Sequence, residues 1–314
     1  MTVTTKHAPA AVNPAAGGSP NRKPAWRRKQ AIAAWVLALP FSLLFLAFMV
    51  GPLIASLLIS MTDMRARDLR NPLAVAFVGP GNFLDLFGDE KFLIAIRNTL
   101  YFAGVGMPLT VAVALLIALA LNNGINRFRT VFRVGFYTPV VTSIIAIGIV
   151  WKYILEPDGL LNHALGTIGI SGPDWLHDTS TAMPSLIVMA MWRNMGTLMI
   201  IFLAGLQGLP QDVFEAARVD GANAWQRFRL LTLPLLRPAI LLGCVMISVY
   251  YFQFFEEAFV MTGGGPLDST KSITYFTYDQ FGFGNYGYAS AASYVLAIAI
   301  GLVTLVQFRL LREK

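Results

Sequence analysis

Few residues in this chain have the types and spacing that bond-making chemistry needs. The histidines, His7, His163 and His177, are scattered without metal-ligand spacing. A single cysteine, Cys244, excludes an intramolecular disulfide and leaves the redox compartment unreadable. The run Gly265-Pro-Leu-Asp-Ser-Thr270-Lys271-Ser272 is one glycine short of a phosphate-binding loop, because Thr270 stands where backbone must pass close to phosphate. What stands out instead is polar side chains inside apolar stretches. One group is Trp192, Arg193 and Asn194, followed by Gly196; the other is Tyr250, Tyr251, Gln253, Phe254, Glu256 and Glu257.

On a continuous helix, Tyr250, Gln253, Phe254 and Glu257 share one face, since residues three or four apart are neighbours. Aromatic rings beside amide and carboxylate groups suit a polyhydroxylated ligand such as a sugar, whose apolar ring faces lie on aromatics while its hydroxyls take hydrogen bonds. The competing reading is an aromatic belt at the headgroup level of a membrane. Arg193 likewise has two readings. It faces a substrate path, or it pairs with an acid or a helix-end carbonyl to hold a bundle together, as intramembrane charges often do.

The elements that position these groups are membrane helices. Hydrophobic residues make up 56% and charged residues 13% of the 314-residue chain, against about 25% charged in soluble domains, and the mean hydropathy is positive. Apolar stretches at Ala31–Met61, Thr99–Leu121, Val134–Leu155, Met183–Leu206, Ala239–Val260 and Ala289–Leu311 each reach the roughly 20 residues that cross the hydrocarbon core. The fold class expected is an all-α integral membrane protein with six transmembrane helices. Pro108, Pro139 and Pro184, in or beside spans, predict kinks.

Basic residues accumulate on the cytoplasmic side, and the segments between spans alternate accordingly. The amino-terminal tail carries Lys6, Arg22, Lys23, Arg27, Arg28 and Lys29 with no acid; the second loop carries Arg127, Arg129 and Arg133 with none. The carboxyl tail has Arg309, Arg312 and Lys314 against Glu313. Acids prevail in the third loop (Glu156, Asp158, Asp174, Asp178) and in the fifth (Glu256, Glu257, Asp268, Asp279 against Lys271). Both termini are therefore placed in the cytoplasm, and the net charge of +7 reflects topology rather than nucleic-acid binding. Residues 1–30, rich in Ala, Pro, Gly and basic residues, read as a disordered basic cytoplasmic tail. Residues 31–314 read as one transmembrane domain. The apolar run after Arg28-Lys29 is too long for a signal-peptide core. No Ser/His/Asp set falls on one side of the membrane, so no enzyme activity is expected.

The fourth loop, 207–238, reads as two short helices. Pro210 and Asp212 start the first; Asp220-Gly221 turns the chain; Ala222–Leu231 forms the second, with Trp225, Phe228 and Arg229 at successive-turn spacing. Small residues Ala216, Ala217 and Gly221 permit close approach of another surface, with Glu215 and Arg218 at its edges. An amphipathic connector lying on the membrane is the alternative.

The order Glu215-Ala216-Ala217, three residues, Gly221, nine residues, Leu231-Thr232-Leu233-Pro234 resembles the EAA loop of the permeases of binding-protein-dependent ABC importers, departing only at Leu231, where that family usually has isoleucine. Further stretches resemble the carbohydrate-uptake group, specifically the first permease of maltose, lactose and glycerol-3-phosphate systems. They are Ser60-Met-Thr-Asp63, Phe77-Val-Gly79 with Asn82-Phe83, Asn98-Thr-Leu100, Pro139–Trp151, Pro157-Asp-Gly159, Trp175-Leu176, Asp220–Phe228, Thr262–Pro266 and Gly287–Ser293.

The resemblance implies a type I ABC importer permease fold in the bacterial or archaeal cytoplasmic (inner) membrane, translocating a sugar or oligosaccharide. By resemblance, Glu215, Ala216, Ala217, Arg218, Asp220 and Gly221 belong to a coupling helix seated on a separate ATPase. The sugar path falls in the segments of Trp192–Gly196 and Tyr250–Phe254, so Trp192, Arg193, Asn194, Tyr250, Tyr251, Gln253, Phe254 and Glu257 are its candidates. The implied partners are a homologous second permease forming a heterodimer, two copies of the ATPase, an extracellular sugar-binding protein and the lipid bilayer. No cofactor is bound by this chain; ATP and Mg are used by the ATPase. A secondary transporter driven by an ion gradient is the principal rival. A membrane-embedded enzyme and a purely structural subunit are further ones.

Overall fold

The computed structural model describes residues 25–71, 75–123 and 128–311. The expected tail falls mostly outside them, as do Arg127, Arg312, Glu313 and Lys314. Residues 25–30 are already helical. The chain divides into two compact units, residues 1–55 and 56–314.

In the first unit, α1 (Ala25–Phe45) continues through a π-helical turn, Leu46–Val50, into α2 (Gly51–Ser60). Trp35, Leu37, Phe41 and Phe48 are exposed along it, as expected of a helix whose solvent is lipid. Proline shapes the π turn. The Gly51 N–H bonds the Leu46 carbonyl, five residues back, and the widened turn makes room for the Pro52 ring, which has no N–H and crowds the preceding turn.

In the second unit, after a 3-10 turn (Ala66–Arg70) and α3 (Gly81–Gly88), come α4 (Glu90–Asn123), α5 (Arg129–Val141), α6 (Ile144–Leu155), α7 (Leu160–Thr167) and α8 (Ala182–Gln207). The fourth loop forms α9 (Gln211–Val219), α10 (Ala224–Arg227), a π turn and α11 (Leu233–Leu235). There follow α12 (Arg237–Phe252), α13 (Glu256–Met261), α14 (Ile273–Gly282) and α15 (Tyr286–Leu311). Among the described residues β pairing is limited to an isolated bridge, Thr62 with Phe77.

Among the described residues four helices are long and apolar enough to cross a membrane: Ala33–Ser60, Glu90–Asn122, Ala182–Gln207 and Tyr286–Leu310. Two bent pairs bring the number to six: Arg129–Val141 with Ile144–Thr167, bent by 99°, and Ala224–Leu235 with Arg237–Phe252, bent by 65°. The third and fifth stretches expected as spans are thus interrupted. The third breaks at Thr142–Ser143, where the Thr142 backbone turns extended, with ψ 145°. The fifth stops at Phe252 and restarts at Glu256. Pro184 needs no kink, because it sits in the first turn of α8, where an N–H has no intrahelical partner anyway.

α8 is the central post. Leu186, Met189, Ala190, Met199 and Phe202 are fully buried along it, and it packs against α4, whose Ala95, Ala103, Ala114 and Ala118 are also buried. Small side chains let membrane helices approach until their backbones pack. Along α8 the closest approach is at Gly196, where a Cβ would strike the Phe136 carbonyl oxygen and lie 3.0 Å from Tyr137 Cα of α5. Backbone cannot swing aside, so Gly196→Ala is expected to cost about 1–3 kcal/mol of overpacking. Gly104→Ala, which meets nothing within 4 Å, is expected to be neutral or slightly stabilising. Membrane yield and melting in detergent of the two variants check this.

The first-loop motifs close on one another. Asn82 Nδ2 donates to the Ser60 and Thr62 carbonyls, both at 2.8 Å, and Asp63 Oδ1 accepts from Ala76 N at 2.9 Å. The Gly287 N–H joins the knot through the Met64 carbonyl at 3.0 Å. Stretches distant in the sequence here hold the outer ends of α2, α3 and α15.

Candidate functional site

The fourth loop is shaped by caps. α9 starts after Pro210, carries Asp212 in its first turn and Arg218 in its last, each matched to the helix dipole. It ends in a Schellman motif: Ala222 N bonds the Ala217 carbonyl at 2.9 Å and Gly221 N the Arg218 carbonyl at 3.1 Å. Gly221 has φ +80° there, the left-handed region that glycine enters without steric cost. Asn223 then caps α10 in a capping box, accepting from Gln226 N at 2.9 Å while Gln226 Oε1 accepts from Asn223 N at 2.8 Å. The second helix predicted to Leu231 is α-helical only to Arg227. From Phe228 to Thr232 it widens into a π turn, with Leu233 N bonding the Phe228 carbonyl. Pro234 follows, repeating the device seen before Pro52.

Glu215, Ala216, Arg218, Asp220 and Gly221 are exposed on this loop, and Ala217 is half-buried. Behind them lies a cavity of about 550 Å³ lined by Phe214, Arg218, Arg227, Phe228 and Thr232. The base of the loop is anchored by Gln207, whose amide oxygen, turned toward α5, accepts from Arg129 Nη2 at 2.7 Å and Arg133 Nη2 at 2.8 Å. The basic residues of the second loop thus brace the end of α8.

The second site is a cavity of about 500 Å³ lined by Tyr250, Gln253, Phe254, Phe255, Glu256 and Glu257, by Thr274 and Thr277 of α14, and by Ser293, Leu296 and Ala297 of α15. The stripe expected on one helix does not exist as such, because the helix breaks at Gln253–Phe255. The break still joins its ends. Arg193 Nη1 of α8 donates to the Tyr250 hydroxyl at 2.7 Å, and that hydroxyl donates to Glu257 Oε1 of α13. Three elements are bolted through one phenol.

Ser272 secures the other side of the break. Its hydroxyl donates to the Phe254 carbonyl at 2.5 Å and caps α14 by accepting from Tyr275 N at 3.0 Å. From α4, Asn98 Nδ2 holds the Asp268 and Lys271 carbonyls at 2.8 and 3.0 Å, and Thr99 Oγ1 accepts from Ile273 N at 3.0 Å.

The other candidates from the sequence are placed apart from the cavity lining. The Tyr251 ring is fully buried over Gly106, and its hydroxyl meets Thr110 Oγ1 at 2.5 Å. Asn194 is buried with Nδ2 on the Ala190 carbonyl at 2.8 Å. Trp192 packs on Trp151, ring centroids 5.8 Å apart. Phe254 lines the cavity while stacking on Phe102 at 3.9 Å. Sequence reasoning missed Thr274, Thr277 and Ser293. The signal for the first two was a pair of threonines three apart just after a serine cap.

The loop at 265–272 is no phosphate site. Lys271 Nζ is committed to Asp279 at 2.9 Å and Asp268 at 3.2 Å. Partial burial alone would lower its pKa, but the hydrogen bonds it donates to Asp279 and Asp268, with their negative charge, outweigh this and hold it above the ordinary lysine value. Lys271 therefore stays charged, and its bridges stay intact, throughout the neutral range. Among the described residues no group of three or more His, Cys, Asp or Glu side chains forms a metal site.

Residues 106–312 match the family described as binding-protein-dependent transport system inner membrane component. The chain belongs to this family. Among its relatives, the lactose transport system permease protein LacF of Rhizobium radiobacter is 33% identical over 92% of this chain and 97% of its own length. The arabinooligosaccharides transport system permease protein AraP of Bacillus subtilis is 32% identical over 88% of each. The fold is also that of a permease chain in a crystal structure of a bacterial alginate ABC transporter in complex with an alginate pentasaccharide-bound periplasmic protein. That match has a TM-score of 0.75 and 24% identity and covers 91% of this chain and 96% of that one.

As an inner membrane component of a binding-protein-dependent importer, this chain is a permease subunit. Such subunits are not themselves enzymes and bind no cofactor. The all-helical membrane architecture is that of ABC importer permeases.

Proposed function

We propose that this permease subunit passes a sugar or oligosaccharide, delivered by an extracellular binding protein, through the cavity between α12, α13, α14 and α15. The observation that carries the reading is that cavity, where the buried ring of Phe254 and the phenol of Tyr250 stand beside Gln253, Glu256 and Glu257. An apolar surface with a few placed polar groups fits a sugar, and relatives named for lactose and arabinooligosaccharide transport support that class of cargo.

Coupling is assigned to α9. Its exposed Glu215, Ala216, Arg218 and Gly221 offer a small-residue surface with charged edges to a separate ATP-hydrolysing subunit, present in two copies. The Gln207 anchor carries movement of that surface into α5 and α8. A similar second permease completes the pathway as a heterodimer. ATP-driven closure of the ATPases rocks the two permeases between inward-facing and outward-facing states, and the loaded binding protein favours the outward one by differential affinity. Both chain ends and α9 then lie in the cytoplasm.

Purification from native membranes through a tag on this chain tests the reading. The expected result is co-purification of a second permease and an ATPase, and sugar uptake by proteoliposomes only with ATP and binding protein. Uptake driven by an ion gradient without an ATPase would turn the account toward a secondary transporter. External labelling of a cysteine placed at Ala217 would overturn the orientation.

A further inference from the structure

The cavity behind α9 combines two chemistries. Leu119 of α4, Leu206 of α8 and Leu209 just after it give it an apolar wall, while Arg218 of α9 and Arg227 of α10 supply charge. No aspartate or glutamate lines it, although Asp212, Glu215 and Asp220 stand exposed on the same loop. Among the described residues the Arg218 guanidinium makes no hydrogen bond or ion pair. Arg227 is held by Nη1 on the Ala222 carbonyl at 2.5 Å, which leaves the other N–H groups of its fork for a further acceptor. A third cation stands close by: Arg129 Nη2 reaches Oδ1 of Asn122, a lining residue, at 3.4 Å. Like charges that face one space without a counter-ion repel each other, so an anion there is favoured.

The ends of the spans set the depth of this cavity. The apolar helices Glu90–Asn122 and Ala182–Gln207 both stop at it, so its leucines lie where hydrocarbon ends and its arginines at the level of lipid phosphates. Its volume of about 550 Å³ is that of a small-ligand site, roughly 300–1,000 Å³. A guanidinium can take two phosphate oxygens at once, and basic pockets between membrane helices suit anionic headgroups. A free phosphate ion would leave the leucine wall facing water, whereas a glycerophospholipid covers the wall and neutralises the arginines together.

We propose that this cavity holds the headgroup of one anionic phospholipid, with its phosphate on Arg218 and Arg227 and its glycerol end against Leu119, Leu206 and Leu209. The two arginines stand on either side of the turn at Gly221, so a phosphate shared between them braces α9 against α10 and ties both to the ends of α4 and α8. The site is independent of which cargo the subunit passes.

The test uses the complete assembly, purified through this chain and stripped of lipid in detergent. Native mass spectrometry counts the molecules of dioleoylphosphatidylglycerol or dioleoylphosphatidylcholine retained, and melting is followed with each lipid and with inorganic phosphate. The expected result is one phosphatidylglycerol retained in preference to phosphatidylcholine, and a melting temperature that rises with phosphatidylglycerol alone. Arg218→Gln and Arg227→Gln are each expected to weaken its retention about 10-fold. Arg309→Gln, at an exposed arginine that does not line the cavity, is expected to leave it unchanged. The Arg218 side chain has no hydrogen bond to lose, so Arg218→Gln carries the test even where Arg227→Gln fails to fold. Equal retention of the two lipids, wild-type retention by Arg218→Gln, or an equal loss in Arg309→Gln would overturn the site. Displacement of the lipid by inorganic phosphate would make it a site for free phosphate and overturn the lipid assignment. Loss of the ATPase from Arg218→Gln with lipid retention unchanged would assign the arginine to that partner and likewise overturn it.

Discussion

Replacing Tyr250 with phenylalanine is expected to abolish uptake and to lower the melting temperature of the subunit in detergent by about 5–10 °C. The phenol joins Arg193 to Glu257 by two hydrogen bonds, and the groups at its two ends are held among α8, α12 and α13. Without it, Glu257 has both oxygens unpaired in a site that is 1% exposed, and Arg193 loses the acceptor of its Nη1. Leaving buried polar groups without their hydrogen-bond partner costs about 1–3 kcal/mol each, because they have been taken out of water and given nothing in exchange. The triple variant Arg193→Met, Tyr250→Phe, Glu257→Leu removes all three polar groups together. It is expected to recover most of the stability, since apolar replacement of a buried ionic set is often neutral, yet not the uptake. Wild-type melting and transport in Tyr250→Phe would show that the link contributes nothing to either.

Gly221→Val is expected to uncouple transport from ATP hydrolysis, with uptake reduced at least about 10-fold while the assembly still hydrolyses ATP. The cause is backbone conformation rather than crowding. A Cβ at Gly221 meets nothing within 4 Å, but φ is +80°, where an ordinary side chain costs roughly 1–2 kcal/mol and a β-branched one more. Valine would open the Schellman turn, release the Ala217 and Arg218 carbonyls, and re-aim α9 relative to α10. Asparagine enters the left-handed region readily, so Gly221→Asn is expected to keep most of the uptake. Equal loss in both variants would point to a need for a bare glycine surface against the ATPase. Equal retention would remove this turn from the coupling path.

Much of this architecture was legible before any coordinates, and the reason differs by feature. The membrane helices were plain from run length, because about 30 Å of hydrocarbon demands roughly 20 apolar residues whatever their neighbours. The fourth loop was legible because caps are local: Pro210, Asp212, Asp220-Gly221 and Asn223 act on backbone within a few positions. Its π turn was not legible, since a helix can accommodate a proline ring by a kink or by a widened turn alike. The break at Gln253–Phe255 was invisible for a deeper reason. No proline or glycine marks it, and the Phe254 carbonyl it frees is satisfied by Ser272, 18 residues on.

The sequence by itself determined that this chain lives in a bilayer, how many times it can cross, and that the loop at 207–238 turns through a glycine toward a surface of small residues. These properties depend on composition and on contacts between near neighbours. Only the tertiary structure decided which polar residues meet. It sent Tyr251, Asn194 and Trp192 into packing, joined Arg193 to Glu257 through Tyr250, and brought Thr274 and Thr277 of α14 to the cavity. Such pairings can join residues 57 positions apart, as Arg193 and Tyr250 are. They are set by how helices cross, and spacing along a chain carries no record of that.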